Sequence, residues 1–118
     1  MATTEAGISI TLLAAADLRT HQYKFVSIDA NGAAALTADD AHADGILCND
    51  PNTGEAAIVL ISGVGKVKCG AAVTRGGDIS SGASGAGKNA DTGAAVLGTA
   101  LETGADGRII SVLFHPRG

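Results

Sequence analysis

The sequence predicts an all-β fold, mainly antiparallel, built as a small β-barrel or tulip-like β-sandwich with at most one or two short helices. Apolar and polar residues alternate over short runs, and turn signals separate these runs about every eight to twelve residues. Glycine also recurs too often for a long helix. With 118 residues, the chain has the length of one domain.

Five runs fit strands, because β-branched residues in a two-residue period are typical of half-buried strands. They are "GISITLL" (7–13), "YKFVSID" (23–29), "EAAIVLIS" (55–62), "GKVKCG" (65–70) and "RIISVLFH" (108–115). In the first of them, Ile8, Ile10 and Leu12 are expected on one side of the strand. Short helices are expected, if anywhere, in "TLLAAADL" (11–18) and "TGAAVLGTAL" (92–101).

Four glycine-containing segments predict the turns between strands, since glycine adopts a positive φ at little cost. They are "DANG" (29–32), "NDPNTGE" (49–55), "TRGGD" (74–78) and "TGADG" (103–107).

The sequence repeats itself weakly at an offset of 53 residues. This offset places Gly32 on Gly85, Gly45 on Gly98 and Gly54 on Gly107, and it gives nine identities over positions 27–61. We therefore expect a single β domain (8–118) that contains two related units, about 27–61 and 80–114.

The predicted core is thin. Alanine and glycine number 23 and 17, and aromatic residues make up only 3% of the chain. Small side chains contribute far less burial free energy than Leu or Phe. We expect burial between subunits to supply part of the stability.

Charge and hydropathy argue against several partners. The net charge is −4, and the eight Lys and Arg are scattered, so no nucleic acid is expected. No apolar run approaches the length of a membrane span, and Glu5 stands where a signal peptide would be positive. These features predict a soluble protein made in the cytoplasm.

One stretch, "GASGAGKN" (82–89), is close to the phosphate-binding motif GxxxxGK[ST]. Gly82, Gly87 and Lys88 have the required spacing, but Asn89 replaces the Ser or Thr that would hold Mg²⁺. The preceding segment is polar, and the following one has Gly93 where a helix should begin. We interpret the stretch as a solvated glycine turn with Lys88 as a surface charge.

No other constellation predicts catalysis, a metal or a cofactor. His21, His42 and His115 lack metal-ligand spacing, and "TADDAHAD" (37–44) lacks the calcium-loop pattern, although casual divalent-ion binding stays open. Cys48 and Cys69 form no CxxC, which leaves two buried thiols or, as a minor alternative, a disulfide. We expect a protein that is not an enzyme.

Taken as a whole, the chain resembles the small capsid decoration, or cement, proteins of tailed bacteriophages. The resemblance lies in "ISITLLAAADLRTHQYKFVSIDANGAAAL", "ADGILCNDPNTGEAAIVLISGVGKVKCGAAVTRGGD" and "VLGTALETGADGRIISVLF". One family with this layout often carries a "predicted recombinase" label, which the missing nucleotide-binding motifs contradict here. The segment "YKFVSIDANGAAALTADDAHADGIL" is also similar to the lambda-type head decoration protein.

The resemblance implies a compact β fold that forms a homotrimer on the outer surface of the phage capsid. There it would bind the major capsid protein at local three-fold positions and clamp neighbouring capsid subunits of the expanded shell. The alternative is another virion β module, such as a fibre base or a receptor- or carbohydrate-binding protein.

The lambda-type relatives use an N-terminal arm against the capsid, and the resemblance implies such an arm over residues 1–7 of this chain. The matching capsid-binding residues here would be Ala2, Thr3, Thr4, Glu5, Ala6, Gly7 and Ile8. We expect the segment from Thr3 to Ile10 to add a strand to a capsid sheet edge, which needs main-chain hydrogen bonds and few specific side chains.

Overall fold

The fold of residues 6–117, the part of the chain that the computed structural model describes, is an antiparallel β-sheet of nine strands. The strands are β1 (Ala6–Leu13), β2 (Phe25–Ile28), β3 (Ala34–Leu36), β4 (Gly45–Leu47), β5 (Ala56–Lys68), β6 (Asp78–Ser81), β7 (Gly87–Asn89), β8 (Val96–Ala100) and β9 (Ile109–Arg117). A single 3-10 turn, Ala83–Gly85, is the one helical element in this range. The predicted all-β antiparallel class is confirmed.

Strand β5 joins the two halves of the sheet. The strand order is β3-β2-β4-β5-β9-β8-β6-β7, and β1 lies along the opposite edge of β5. Parallel bridges from Ala14 to Ala34 and from Cys69 to Gly87 bring β3 and β7 back beside the residues that follow β1 and β5. Each half therefore curls back on itself, which covers strand edges that would otherwise be open.

The two strands predicted at 55–62 and 65–70 are one strand of 13 residues. The apparent break falls at Gly63, which has a φ of 109° and still pairs with Gly7 of β1 and Phe114 of β9. A positive φ of this size favours glycine. The chain can therefore bend here without leaving the sheet.

The strand pairings recur 53 residues further along the chain, at the offset at which the sequence repeats. The recurring pairs are Val26–Leu36 with Ile79–Asn89, Val26–Gly45 with Ile79–Gly98, and Ile46–Leu60 with Thr99–Leu113. The two halves thus have one pairing scheme. A common origin of the two units stays a prediction.

Two apolar clusters fill the halves. The larger one contains Phe25, Ala43, Ile46, Leu60, Val67, Cys69, Val73, Ile79, Leu97, Ala100, Ile110, Val112 and Phe114. The smaller one contains Ala14, Leu18, Val26, Ala34, Leu47, Ala57 and Val59. Phe25 of β2 packs against Phe114 of β9, with ring centroids 6.2 Å apart and planes tilted by 32°. This contact ties the first half to the core of the second.

The four predicted turns form as expected. Gly32, Gly54, Gly76 and Gly107 have φ values of 77°, 78°, 80° and 86°. A residue with a Cβ atom would be strained at these φ values, whereas glycine is not.

The two segments considered for short helices are not helical. The first ends β1 and continues as an irregular loop, and the second contains β8. In β8, Gly98 lies against the backbone of Leu113, and a helix would lose this close approach between strands. Strand pairing outweighs the local preference of alanine here.

Ile8 differs from its expected position. Ile10 and Leu12 pack against the smaller cluster, but the Ile8 side chain is 62% exposed. The register of β1 shifts between Ile8 and Ser9, where β1 passes the end of the first half. The alternation of apolar and polar residues along β1 does not show at which residue the strand passes beyond the apolar cluster.

Candidate functional site

The predicted capsid-binding segment falls only partly within the described residues. Ala2, Thr3, Thr4 and Glu5 lie outside them. The remaining three residues begin β1, where Ala6 pairs with Val64, Gly7 with Gly63 and Ile8 with Ser62. The strand therefore begins one residue before the predicted run 7–13, and the last part of the predicted arm is paired with β5.

The outer side of β1 and β5 carries an exposed apolar surface, which we call the β1–β5 patch (Thr11, Leu13, Ala56 and Ile58). Thr11 pairs with Ile58, and Leu13 pairs with Ala56. Leu13 is 60% and Ile58 is 43% exposed, so two large apolar side chains face outward in adjacent rows. Adjacent exposed apolar side chains of this kind mark surfaces that associate with other proteins.

The stretch that resembles a phosphate-binding loop is a hairpin turn. Residues 82–86, which we call the glycine turn, connect β6 to β7, and these strands pair antiparallel from Ile79–Asn89 to Ser81–Gly87. Lys88 lies in β7, a strand, whereas a phosphate-binding loop opens a helix. The turn therefore has a different geometry from that motif.

Lys88 is held by three carboxylates, so the expectation of a simple surface charge is wrong. Its Nζ lies 2.6 Å from Asp40, 3.0 Å from Asp39 and 3.0 Å from Asp91, and its side chain is only 19% exposed. Hydrogen bonds to Asp40, Asp91 and Asp39 raise the pKa of Lys88 above its ordinary value. The contacts join the β3–β4 loop to the second half of the sheet.

The three histidines lie apart and have different partners. His21 Nδ1 is 3.2 Å from Lys24 Nζ, and His115 Nε2 is 3.0 Å from Thr99 Oγ1. His42 lies 3.7 Å from Asp44. Burial, and then the charge of Lys24, lower the pKa of His21, so its imidazole is neutral near pH 7 and its Nδ1 accepts a hydrogen bond from the Lys24 ammonium group.

The cysteines and acidic residues within 6–117 form neither a metal-ligand group nor a disulfide. No group of three His, Cys, Asp or Glu residues in this range is arranged to hold a metal ion. No disulfide joins Cys48 to Cys69. The Cys69 thiol is buried, and burial followed by the charges of Asp106 and Glu102 raises its pKa. A buried thiol with a raised pKa stays protonated and unreactive, and its role is to pack in the core.

A cavity of about 380 Å³ opens beside the glycine turn. Lys24, Lys68 and Lys88 line it together with Gly82, Ala83 and Ser84 of the turn. Asp39 and Asp106 also reach it.

Lys24 and Lys68 are far apart in the chain, and no sequence signal marks them as neighbours at one cavity. The Lys68 N–H donates to the Tyr23 carbonyl at 2.8 Å, and this contact brings the two lysines together.

Comparison with solved structures finds a protein of the same fold. The structure is similar to that of the head fiber gp8.5 N base in bacteriophage phi29, with a TM-score of 0.75 and 18% sequence identity. The match covers 92% of this chain and 93% of that chain. The two proteins share a fold.

No family model matches the sequence, and no curated protein matches it. No helix in the described part of the chain is long and apolar enough to cross a membrane.

Proposed function

We propose that this protein is a non-enzymatic structural component of a bacteriophage virion and binds the outside of the head. The observation that carries the proposal is the fold shared with a phage head fiber base over nearly the full length of both chains. The resemblance of the sequence to phage decoration proteins points to the same surface.

Two forms of this role are supported. As a decoration protein, the chain would cover the shell at many equivalent positions and clamp neighbouring capsid subunits. As a fibre base, it would occupy fewer positions and carry a projecting structure. The structural similarity to a head fiber base favours the fibre base, and the sequence resemblance favours decoration.

The proposal includes self-association, with three copies as the expected number. The β1–β5 patch exposes Leu13 and Ile58, which a partner copy would remove from water. Aromatic residues make up only 3% of the chain, and 23 alanines and 17 glycines contribute little burial, so shared burial would add stability. Three equivalent weak contacts to the shell would also bind more firmly together than separately.

Quantitative mass spectrometry of purified virions, together with electron microscopy of their heads, tests the role. A decoration protein is expected in numbers comparable to the capsid protein and as compact knobs. A fibre base is expected in fewer copies, beneath visible projections. Absence from the virion, or location in the tail alone, would refute both forms.

Deletion of residues 2–7 tests the N-terminal part of the proposal. The truncated protein is expected to fold and to lose affinity for purified heads that lack it, because its terminal segment would no longer add main-chain hydrogen bonds to the capsid. Unchanged head binding would show that attachment uses another surface.

A further inference from the structure

The two halves of the sheet contain equivalent five-residue turns that differ at two positions, Asp29 against Gly82 and Asn31 against Ser84. In the first half, residues 29–33 form a turn, which we call the aspartate turn. The Asp29 carboxylate accepts the N–H groups of Asn31 and Ala33, each at 2.9 Å. This carboxylate satisfies backbone donors that the turn itself leaves open.

The glycine turn has the same backbone connections without the carboxylate. Gly82 donates to Ala86 and Gly85 donates to Gly82, as Asp29 donates to Ala33 and Gly32 to Asp29 in the first half. Gly82 stands at the position of Asp29. The Ser84 N–H corresponds to that of Asn31. Without the carboxylate, it has no hydrogen-bond acceptor among residues 6–117.

The backbone of Ser84 is strained at the same place. Ser84 has φ 54° and ψ 32°, a left-handed conformation that costs energy in a residue other than glycine. Strained backbone conformations of this kind are found most often at ligand-binding and active sites.

Lys24 and Lys68 place two positive charges at the cavity beside the turn, and Asp106 places one negative charge there. The ammonium group of Lys24 is 3.2 Å from the neutral His21 ring, which leaves its charge uncompensated. Lys68 forms no ion pair with a described residue, and its charge acts on Lys24, whose pKa is lowered by burial and then by Lys68. Lys88 contributes little, because three carboxylates already surround it.

We infer that this cavity binds a carboxylate group from an aspartate or glutamate side chain of a partner protein. The Ser84 N–H and the ammonium groups of Lys24 and Lys68 would hold it. The aspartate turn of the same chain supports a carboxylate ligand, because there the equivalent N–H, that of Asn31, donates to the carboxylate of Asp29. The cavity volume, about 380 Å³, leaves room for the side chain and its flanking backbone.

The inference is independent of the proposed virion role, because its test uses the purified chain alone. The probe is N-acetyl-glutamate α-amide, whose side chain carries its single carboxylate, titrated at constant ionic strength and followed by backbone amide NMR. Its glutamine counterpart is the neutral control. We expect a saturable shift of the Ser84 amide with the first compound and none with the second.

Three variants locate the site. Lys24→Gln and Lys68→Gln are each expected to weaken binding by about threefold, the effect of one partly exposed charge. Lys66→Gln, two residues along the same strand and outside the cavity, is expected to leave the dissociation constant unchanged. Gly82→Asp would supply an internal carboxylate, as in the aspartate turn, and is expected to abolish the Ser84 shift while the remaining spectrum stays dispersed.

Several results would overturn the inference. They are a Ser84 amide that does not shift, equal shifts with the glutamine compound, or equal weakening by Lys66→Gln. Inorganic phosphate forms a separate arm of the experiment. If phosphate bound more than about tenfold tighter than the glutamate compound, the site would be a phosphate site instead.

Discussion

Gly45 and Gly98 lie 53 residues apart and meet the same neighbour in their respective halves. A Cβ on Gly45 would lie 2.5 Å from the carbonyl oxygen of Leu60, and one on Gly98 would lie closer still to the carbonyl oxygen of Leu113. Leu60 and Leu113 are also 53 residues apart. Both halves therefore require a residue without a side chain where two strands pair, β4 with β5 in the first half and β8 with β9 in the second.

Substitution of Gly98 by alanine is expected to destabilise the protein by about 2–3 kcal/mol, because the new methyl group would overlap backbone atoms that cannot move freely. Urea unfolding measures the change. Gly107→Ala is the matched control: its φ is 86° but no atom lies within 4 Å of the added Cβ, so only about 1 kcal/mol of backbone strain is expected. Equal losses in the two variants would contradict the steric explanation.

Replacement of Lys88 by glutamine is expected to lower the melting temperature. The change removes the cation between Asp39, Asp40 and Asp91 and leaves three carboxylates close together. Added salt should reduce the difference from the original protein, since it screens the repulsion. A melting temperature no lower than that of Lys66→Gln would show that the three ion pairs are unimportant for stability.

His21 is expected to make stability depend on pH in mildly acidic solution. Its folded pKa lies below the ordinary value of 6.5, so the unfolded chain binds a proton more readily than the folded one. Stability is then complete above about pH 6.5 and declines as the pH falls toward the folded pKa. The urea midpoint should fall more between about pH 7.5 and 5.5 in the original protein than in His21→Gln. Parallel curves for the two proteins would remove His21 from this role.

The β1–β5 patch is expected to mediate self-association. Leu13→Asp and Ile58→Asp place charges on a surface that a partner copy would cover, and burial of an unpaired charge is costly. Light scattering should show smaller assemblies, with unchanged circular dichroism. Ile28→Asp is the control, because Ile28 is 46% exposed on β2, outside the patch. If the original protein were a monomer at micromolar concentration, the proposed trimer would be wrong.

The sequence predicts four of the nine strands in residues 6–117, β1, β2, β5 and β9, because their signals are local, and it misses the other five, which have three to five residues. A two-residue period marks β1, β2 and β9, and a glycine in each turn segment marks the positive φ values at Gly32 and Gly107. The continuity of β5 across Gly63 could not be predicted, because it depends on pairing with two strands from distant parts of the chain.

Features of the candidate site depend on contacts between the halves, which the sequence order hides. The carboxylates around Lys88 come from two separate loops. Lys24 and Lys68 become neighbours only through the bond from Lys68 to Tyr23. The similarity of 82–89 to a phosphate-binding motif comes from the glycines of a hairpin turn, and spacing alone does not distinguish a hairpin from the start of a helix.

Strand β5 pairs with strands of both halves of the sheet, and this limits where the chain can be cut into two fragments. Strand β4 pairs with Val59 and Leu60, β9 pairs with residues 63–68, and β1 pairs along residues 56–64. A cleavage inside residues 56–64 therefore separates β1 from part of its partner strand. Complementation between two separately produced fragments should therefore succeed only if each fragment carries its own copy of residues 56–68.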